Sequence, residues 1–275
     1  MSKAFQIKSY LQFYRQAVTR YKVHSPFVFQ LIEQVLEDDR NFYIFQSLKV
    51  TRKQLKKSKL QLTIKDLGAG SHVSTSNQRT VGAITKSAVS PEAQCQLLFR
   101  LTQYFKPKTM LEFGTSLGLS TLYQAFGNTE GQLITMEGSP EISRFAQEMF
   151  INAKAKNVQL KIGNFDNLLP EILKELNGTL DYVFFDGNHR KQPTLDYFET
   201  CLPYADNNSL FIFDDIYWSP EMKEAWETIK EHPSVTLTVD LFYMGLVFFR
   251  KEQLEDKHLK VVTQGAKPWV MGFWN

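Results

Sequence analysis

The hydrophobic rhythm of the chain becomes regular near residue 90. From Pro91 onward, short apolar runs alternate with amphipathic stretches. The stretch "PEAQCQLLFRLTQYF" carries apolar residues at helical spacing and leads into the run "TMLEF", after which a helix is expected from about Leu119. The alternation continues through the strand "QLITME", the helix "SPEISRFAQEMFINAKA", the strand "VQLKIG" and the helix "LLPEILKEL". Then "LDYVFFD" reads as a strand, "RKQPTLDYFETCLP" as a helix, "SLFIFDD" as a strand and "SPEMKEAWETIKEH" as a helix. Strands that alternate with helices need crossover connections and hence a mainly parallel sheet, whose central strands are continuous apolar runs because both faces are covered. The end breaks this rhythm. "VTLTVDLFYMGLVFFR" holds two strand-like runs with no room for a helix between them, so they must pair as an antiparallel hairpin.

Upstream, from Ala4 to about Lys59, the pattern is helical: Tyr10, Phe13, Tyr14, Ala17 and Val18 recur at helical spacing. "HSPFVFQLIEQVL" offers Ser25 as an N-cap and Pro26 at the first helical position. Residues 1–60 are therefore expected to form a helical cap or a dimerisation appendage. Residues 61–90 are polar and dotted with glycine, a linker or a lid, and 91–250 form the α/β domain. The tail, 251–275, ends in "KPWVMGFWN", apolar enough to need a docking site on its own domain or on a partner subunit of a homodimer.

Composition narrows the picture further. A chain of 275 residues suits one large domain with an appendage. Cys95 and Cys201 lie far apart with no CxxC pattern, which argues against a disulfide framework or a zinc site and for a reducing, cytoplasmic setting. No apolar run approaches the ~20 residues that span a bilayer, so no membrane partner is expected. The N-terminus also lacks the apolar core of a signal peptide. The net charge of +3 is uneven: residues 1–60 hold twelve Lys and Arg against four Asp and Glu. The run Arg52, Lys53, Lys56, Lys57 and Lys59 invites an RNA-binding reading. No aromatic residues are interleaved with it, and a solvated helix face is the preferred expectation.

Two glycine turns compete for a nucleotide site. "TIKDLGAGS", Thr63 to Ser71, and "TMLEFGTSLGLST", Thr109 to Thr121, both set an acidic residue before spaced glycines. A cofactor-binding βαβ unit also needs a second strand ending in an acid, ~20 residues beyond the turn, to accept hydrogen bonds from ribose hydroxyls. After the first turn the window "VGAITKSAVSP" has neither a strand nor a carboxylate; after the second, "GQLITMEGSP" supplies a strand ending in Glu137. Glu112 therefore opens the site. The first stretch becomes a linker or a mobile lid. The spacing from Glu112 through Gly114 to Gly118 also departs from GxGxxG, which disfavours a nicotinamide dehydrogenase.

With these residues in place, the segment from about Ser90 to Arg250 resembles the class I S-adenosylmethionine-dependent O-methyltransferases of the catechol and caffeoyl-CoA type. That resemblance implies a Rossmann-like, seven-stranded, mainly parallel sheet closed by a C-terminal antiparallel hairpin strand. It implies that Glu112, Gly114, Thr115, Ser116, Gly118 and Ser120 bind the methionine part of S-adenosylmethionine. Glu137 and Gly138 would meet the ribose, and Gly163, Asn164 and Phe165 would flank the adenine. Relatives often carry other residues at Asn164 and Phe165.

Two later strands end in acid, at Asp186 and at Asp214 and Asp215, and ligands of open α/β sheets sit beyond such ends. Convergent carboxylates suit a hard divalent cation such as Mg²⁺, which lowers the pKa of a substrate hydroxyl. The resemblance makes Asp186, Asp214 and Asp215 the metal ligands, with Asp215 where relatives carry Asn. The other reading keeps Asp186 in the cofactor pocket and uses the Asp pair to cap the helix near Ser219. His189 stands where metal-dependent relatives place a proton-accepting lysine; it is either the catalytic base beside Asp186 or a structural histidine. Tyr217 and Trp218 border a substrate pocket or belong to the core, and Tyr243, Met244 and Gly245 are read as structural. The expected function is O-methylation of a hydroxyl on a small-molecule acceptor; the alternatives are an RNA-modifying methyltransferase and a non-catalytic binding module.

Overall fold

The computed structural model describes residues 3–64, 78–176, 178–252 and 257–269. The first helix, α1 (Lys3–Gln16), is followed by α2 (Pro26–Leu31), which starts where the sequence predicts: the Ser25 hydroxyl accepts the Val28 N–H, and Pro26 fills the first turn. A π-helical stretch, Ile32–Leu36, leads on to α3 (Tyr43–Lys57). A short antiparallel pair, β1 (Gln61–Thr63) and β2 (Gln78–Thr80), precedes α4 (Val81–Ser87), which Thr80 caps through the Ala83 N–H. Then come α5 (Glu92–Phe105), β3 (Thr109–Phe113), α6 (Leu119–Gly127), β4 (Gln132–Glu137), α7 (Pro140–Ala153), β5 (Val158–Ile162) and α8 (Phe165–Glu175). The remainder is β6 (Tyr182–Phe185), α9 (Lys191–Cys201), β7 (Leu210–Asp214), α10 (Pro220–Lys230), β8 (Leu237–Asp240), β9 (Met244–Phe248) and β10 (His258–Lys260).

Strands β3 to β10 form an eight-stranded sheet of order β10-β8-β9-β7-β6-β3-β4-β5. Pairs β3–β4, β4–β5, β6–β7 and β8–β10 are parallel, whereas β9 runs antiparallel to both β7 and β8. The α/β architecture and the closing hairpin match the sequence expectation. The sheet has one strand more than the seven expected, because β10, in the segment read as a tail, adds to the open edge of β8. Three residues are too few to show a period in sequence.

The chain divides into two compact units, 1–38 with 178–275, and 39–177. In the contiguous unit, Phe45 and Leu48 of α3 are buried with Cys95, Phe99, Leu122, Tyr123, Ala146 and Phe150. α3 is thus part of that core, although hydrophobic rhythm groups it with the helices before it. Arg52 of the basic run is also buried, 3.3 Å from the Cys95 sulfur, while Lys53, Lys56, Lys57 and Lys59 are exposed. The Asp66–Ser71 stretch that sequence reads as a linker or lid lies outside the described residues. Among the described residues no helix is long and apolar enough to cross a membrane.

In the other unit the described part of the tail docks on α1. Tyr14 donates its hydroxyl to the Ala266 carbonyl at 2.7 Å, and the Lys267 ammonium, over the Tyr14 ring, donates to the carbonyls of Tyr14 and Ala17. In the core of this unit Trp226 of α10 packs directly on Gly245 of β9. Trp226 is 1% exposed, and a Cβ on Gly245 would stand 2.5 Å from its ring. Gly245→Ala is therefore expected to lower unfolding free energy by ~1–3 kcal/mol, the usual scale of overpacking. Urea denaturation measures this, and an unchanged midpoint would show that the Trp226 ring yields without strain.

Candidate functional site

In the contiguous unit, the turn between β3 and α6 is held in an unusual backbone state. Gly114, Ser116 and Gly118 all have left-handed φ, at 93°, 47° and 80°. Glycine adopts this region without penalty, and Gly118 has no room for more, since a Cβ there would meet the Phe150 ring at 2.6 Å. Ser116 is a non-glycine residue in the same region and needs external support. Its N–H donates to Glu137 Oε2 at 2.9 Å, and the Ser139 N–H donates to Glu137 Oε1 at 2.9 Å. The Gly114 and Thr115 amides both donate to the Met136 carbonyl at 3.0 Å. The turn is thereby laced to the end of β4.

Behind the turn lies Glu112, 0% exposed. Its Oε1 accepts from Ser120 Oγ at 2.8 Å and Gln124 Nε2 at 2.6 Å; its Oε2 accepts from Thr121 Oγ1 at 2.5 Å and Thr135 Oγ1 at 2.7 Å. Burial pushes its pKa up, and the four donors pull against that shift. Thr135 spends its proton on Glu112, so the Thr115 hydroxyl is the donor in the 2.7 Å contact between the two threonines. Glu112 and Ser120 consequently bond to each other instead of facing outward. They shape the turn from behind, as do the buried Thr115 and Gly118.

The half-exposed members of the predicted donor set are Gly114, Ser116, Glu137, Gly138, Gly163, Asn164 and Phe165. Because β3, β4 and β5 are parallel and in register, Gly114, Glu137 and Gly163 sit at the same edge of the sheet. Asn164 caps α8 by accepting the Asp166 N–H, and the Phe165 ring meets Phe113 edge-on at 5.7 Å. Sequence reasoning missed Ser139 as a support of Glu137. Its position two residues past the strand-end acid was the available signal.

In the other unit, parallel pairing of β6 and β7 brings Asp186 and Asp214 to adjacent strand ends, and their carboxyl groups are in hydrogen-bond contact. Asp214 is 5% exposed; burial first, and the negative charge of Asp215 second, push its pKa up to about 8. Its Oδ1 has no hydrogen-bond partner among the described residues. His189 Nε2 lies 3.5 Å from Asp186 Oδ1. Burial lowers the His189 pKa, and the charge of Asp215 opposes that shift. Asp215 has a left-handed φ of 55°, and its N–H donates to the Tyr243 carbonyl at 2.9 Å. The sequence thus brings together Asp186, His189, Asp214 and Asp215. Among the described residues, however, no three His, Cys, Asp or Glu side chains converge as a metal-binding group.

Two sequence alternatives separate here. Ser219 caps α10 itself, its hydroxyl accepting the Met222 N–H at 3.1 Å, so capping does not occupy the Asp pair. Tyr217 is buried at 4% and donates its hydroxyl to Asp240 Oδ2 at 2.7 Å, whereas Trp218 is 41% exposed. Of the two, only Trp218 is placed to meet a ligand. Tyr243 is 38% exposed; desolvation of its phenol first, and the charge of Asp214 second, push its pKa up to about 12.

Residues 111–216 match a family model described as a methyltransferase domain. The matched segment begins in β3 and ends just past Asp215. A curated relative, catechol O-methyltransferase of Niastella koreensis, is 32% identical over 47% of this chain and 58% of its own length. The chain thus spans little more than half of that relative. The crystal structure of an O-methyltransferase from Bacillus cereus in complex with SAH aligns with a TM-score of 0.55 at 18% identity, covering 86% of this chain and 99% of the other. The O-methyltransferase TomG from Streptomyces achromogenes, solved in complex with SAM, aligns with a TM-score of 0.53 at 20% identity, covering 59% and 82%. Residues 111–216 therefore resemble a methyltransferase domain, and the fold is one the chain shares with these solved structures.

Replacing Glu112 tests its role behind the turn. Glu112→Ala leaves four buried donors without an acceptor and is expected to lower unfolding free energy by about 3 kcal/mol or more. Glu112→Gln keeps one acceptor oxygen and should fall between. Chemical denaturation gives the order, and an alanine variant as stable as the original chain would show that the carboxylate holds nothing together.

Proposed function

We propose that this chain is an S-adenosylmethionine-dependent O-methyltransferase acting on a hydroxyl of a small or medium-sized acceptor. The observation that carries the reading is the β3–α6 turn, whose three left-handed residues stand beside a half-exposed Glu137 already gripped by two backbone amides. A carboxylate at that place, at the end of the second strand of a βαβ unit, suits a ribose diol. Gly114 and Ser116 would border the methionine part and Gly163, Asn164 and Phe165 the adenine. The names of the Niastella, Bacillus and Streptomyces proteins support the same donor and the same kind of acceptor atom.

Bound donor would supply an electrophilic methyl group on a sulfonium, with a neutral thioether as leaving group. The chain's own work is to align the acceptor oxygen with that carbon, exclude water and remove the hydroxyl proton. His189, whose pKa desolvation lowers, receives the proton. Asp215 stabilises the imidazolium that forms, and Asp186, 3.5 Å from Nε2, orients the ring. The exposed Trp218 offers a flat apolar face to a planar acceptor. No step is assigned to a metal.

Calorimetry with S-adenosylhomocysteine should show binding, and NAD should show none; the opposite pattern would end the donor assignment. With a labelled methyl donor and a panel of phenols, His189→Ala should reduce turnover by ~10²- to 10⁴-fold, the usual share of a general base. EDTA should leave turnover intact. Loss of turnover on chelation, restored by Mg²⁺, would return the aspartates to a metal.

A further inference from the structure

The β1–β2 pair stands outside the eight-stranded sheet, and nothing assigned so far uses it. Its described flanks nevertheless lead to both residues that grip Glu137. On one side, the Thr63 N–H donates to Glu141 Oε2 at 2.5 Å, and the Thr63 carbonyl accepts from Ser139 Oγ at 3.5 Å. On the other, the carbonyl of Ala88, just past α4, accepts from Ser116 Oγ at 3.4 Å. Ser116 and Ser139 are the residues whose amides hold the two oxygens of Glu137. Apolar packing follows the same route: Leu62, Val81 and Ile84 share a buried cluster with Leu117 and Leu119 of the turn and Ile142 of α7. Gly82 lets α4 lie close against the end of α3, since a Cβ there would stand 2.8 Å from the Ser58 carbonyl oxygen.

Glu141 is the strongest link in this chain of contacts. It lies in the first turn of α7, where a negative charge also favours the helix dipole. A carboxylate serving only that dipole would not need the backbone of a separate hairpin. We propose that Glu141 is a positioning residue for the donor site: by pairing with Thr63 it fixes the start of α7, and with it the Ser139 amide that aims Glu137 at a ribose diol. The inference rests on the donor reading above. It gives the β1–β2 pair a task in ligand recognition, apart from any contact of its own with the ligand.

The test compares S-adenosylhomocysteine with its 2′-deoxyribose analogue by calorimetry. Glu141→Ala should weaken S-adenosylhomocysteine about tenfold, the scale of one charge-assisted hydrogen bond, and leave the deoxy analogue nearly unchanged. Glu141→Gln, whose amide oxygen can still accept from Thr63, should bind both ligands like the original chain. Should Glu141→Ala fail to fold, Ser139→Ala removes the second Thr63 contact while keeping the amide, and should shift the same ratio by a smaller factor. Equal weakening of both ligands, or no weakening of either, overturns the positioning role while leaving the donor assignment in place. An original chain that binds neither ligand overturns both.

Discussion

The Glu112 carboxylate and its four donors are the constraint on which the contiguous unit depends. Burying an ionised carboxylate costs several kcal/mol unless hydrogen bonds replace its water. Here the replacements come from α6 through Ser120, Thr121 and Gln124, and from β4 through Thr135. One residue on β3 therefore ties together a strand, a helix and the neighbouring strand. With those three elements immobile, the five residues from Gly114 to Gly118 have little choice of path. The left-handed state of Ser116, unfavourable in a free loop, is held by its amide bond to Glu137. Rigidity behind the turn thus produces an ordered surface in front of it.

The acidic cluster of the other unit is built on the opposite principle. Asp214 gathers too few donors for its burial, and its pKa rises accordingly. Backbone strain collects around it: Asn188, Asp215 and Phe242 all carry positive φ. Such strain persists only where surrounding contacts over-determine it. The Asp215 amide on the Tyr243 carbonyl, and the Phe242 amide on Asp240 Oδ1, are contacts of that kind. Four donors hold the Glu112 carboxylate in place, whereas one oxygen of Asp214 is left without a partner among the described residues.

Much of this was legible in the sequence where the signal was local. Alternating apolar runs and amphipathic stretches located the strands and helices, because each element spans enough residues to display its own period. The position of Glu137 beside the glycine turn was legible because a strand-end acid follows that turn at the expected spacing. The hydrogen bonds of Glu112 were not, since its partners lie on two other elements and their convergence is a property of the folded chain. Tyr217 and Trp218 are neighbours of similar chemistry, and the first is held inward by Asp240 and the Phe242 ring, both distant in sequence. The inclusion of α3 in a core depends on a contact with Phe99 and Tyr123 far along the chain. β10 is too short to reveal itself, and depends on the open edge of β8 to exist.

The division of the chain between two units bears on how it folds during synthesis. Residues 39–177 are contiguous, so that unit can close its core while the rest of the chain is still being made. The other unit draws on residues 1–38 and on 178–275, and the contact of Lys267 with the carbonyls of Tyr14 and Ala17 joins points about 250 residues apart. Closing a loop of that length carries a large entropic cost before any contact repays it. α1 therefore meets these partners only after the roughly 250 residues between them have been made.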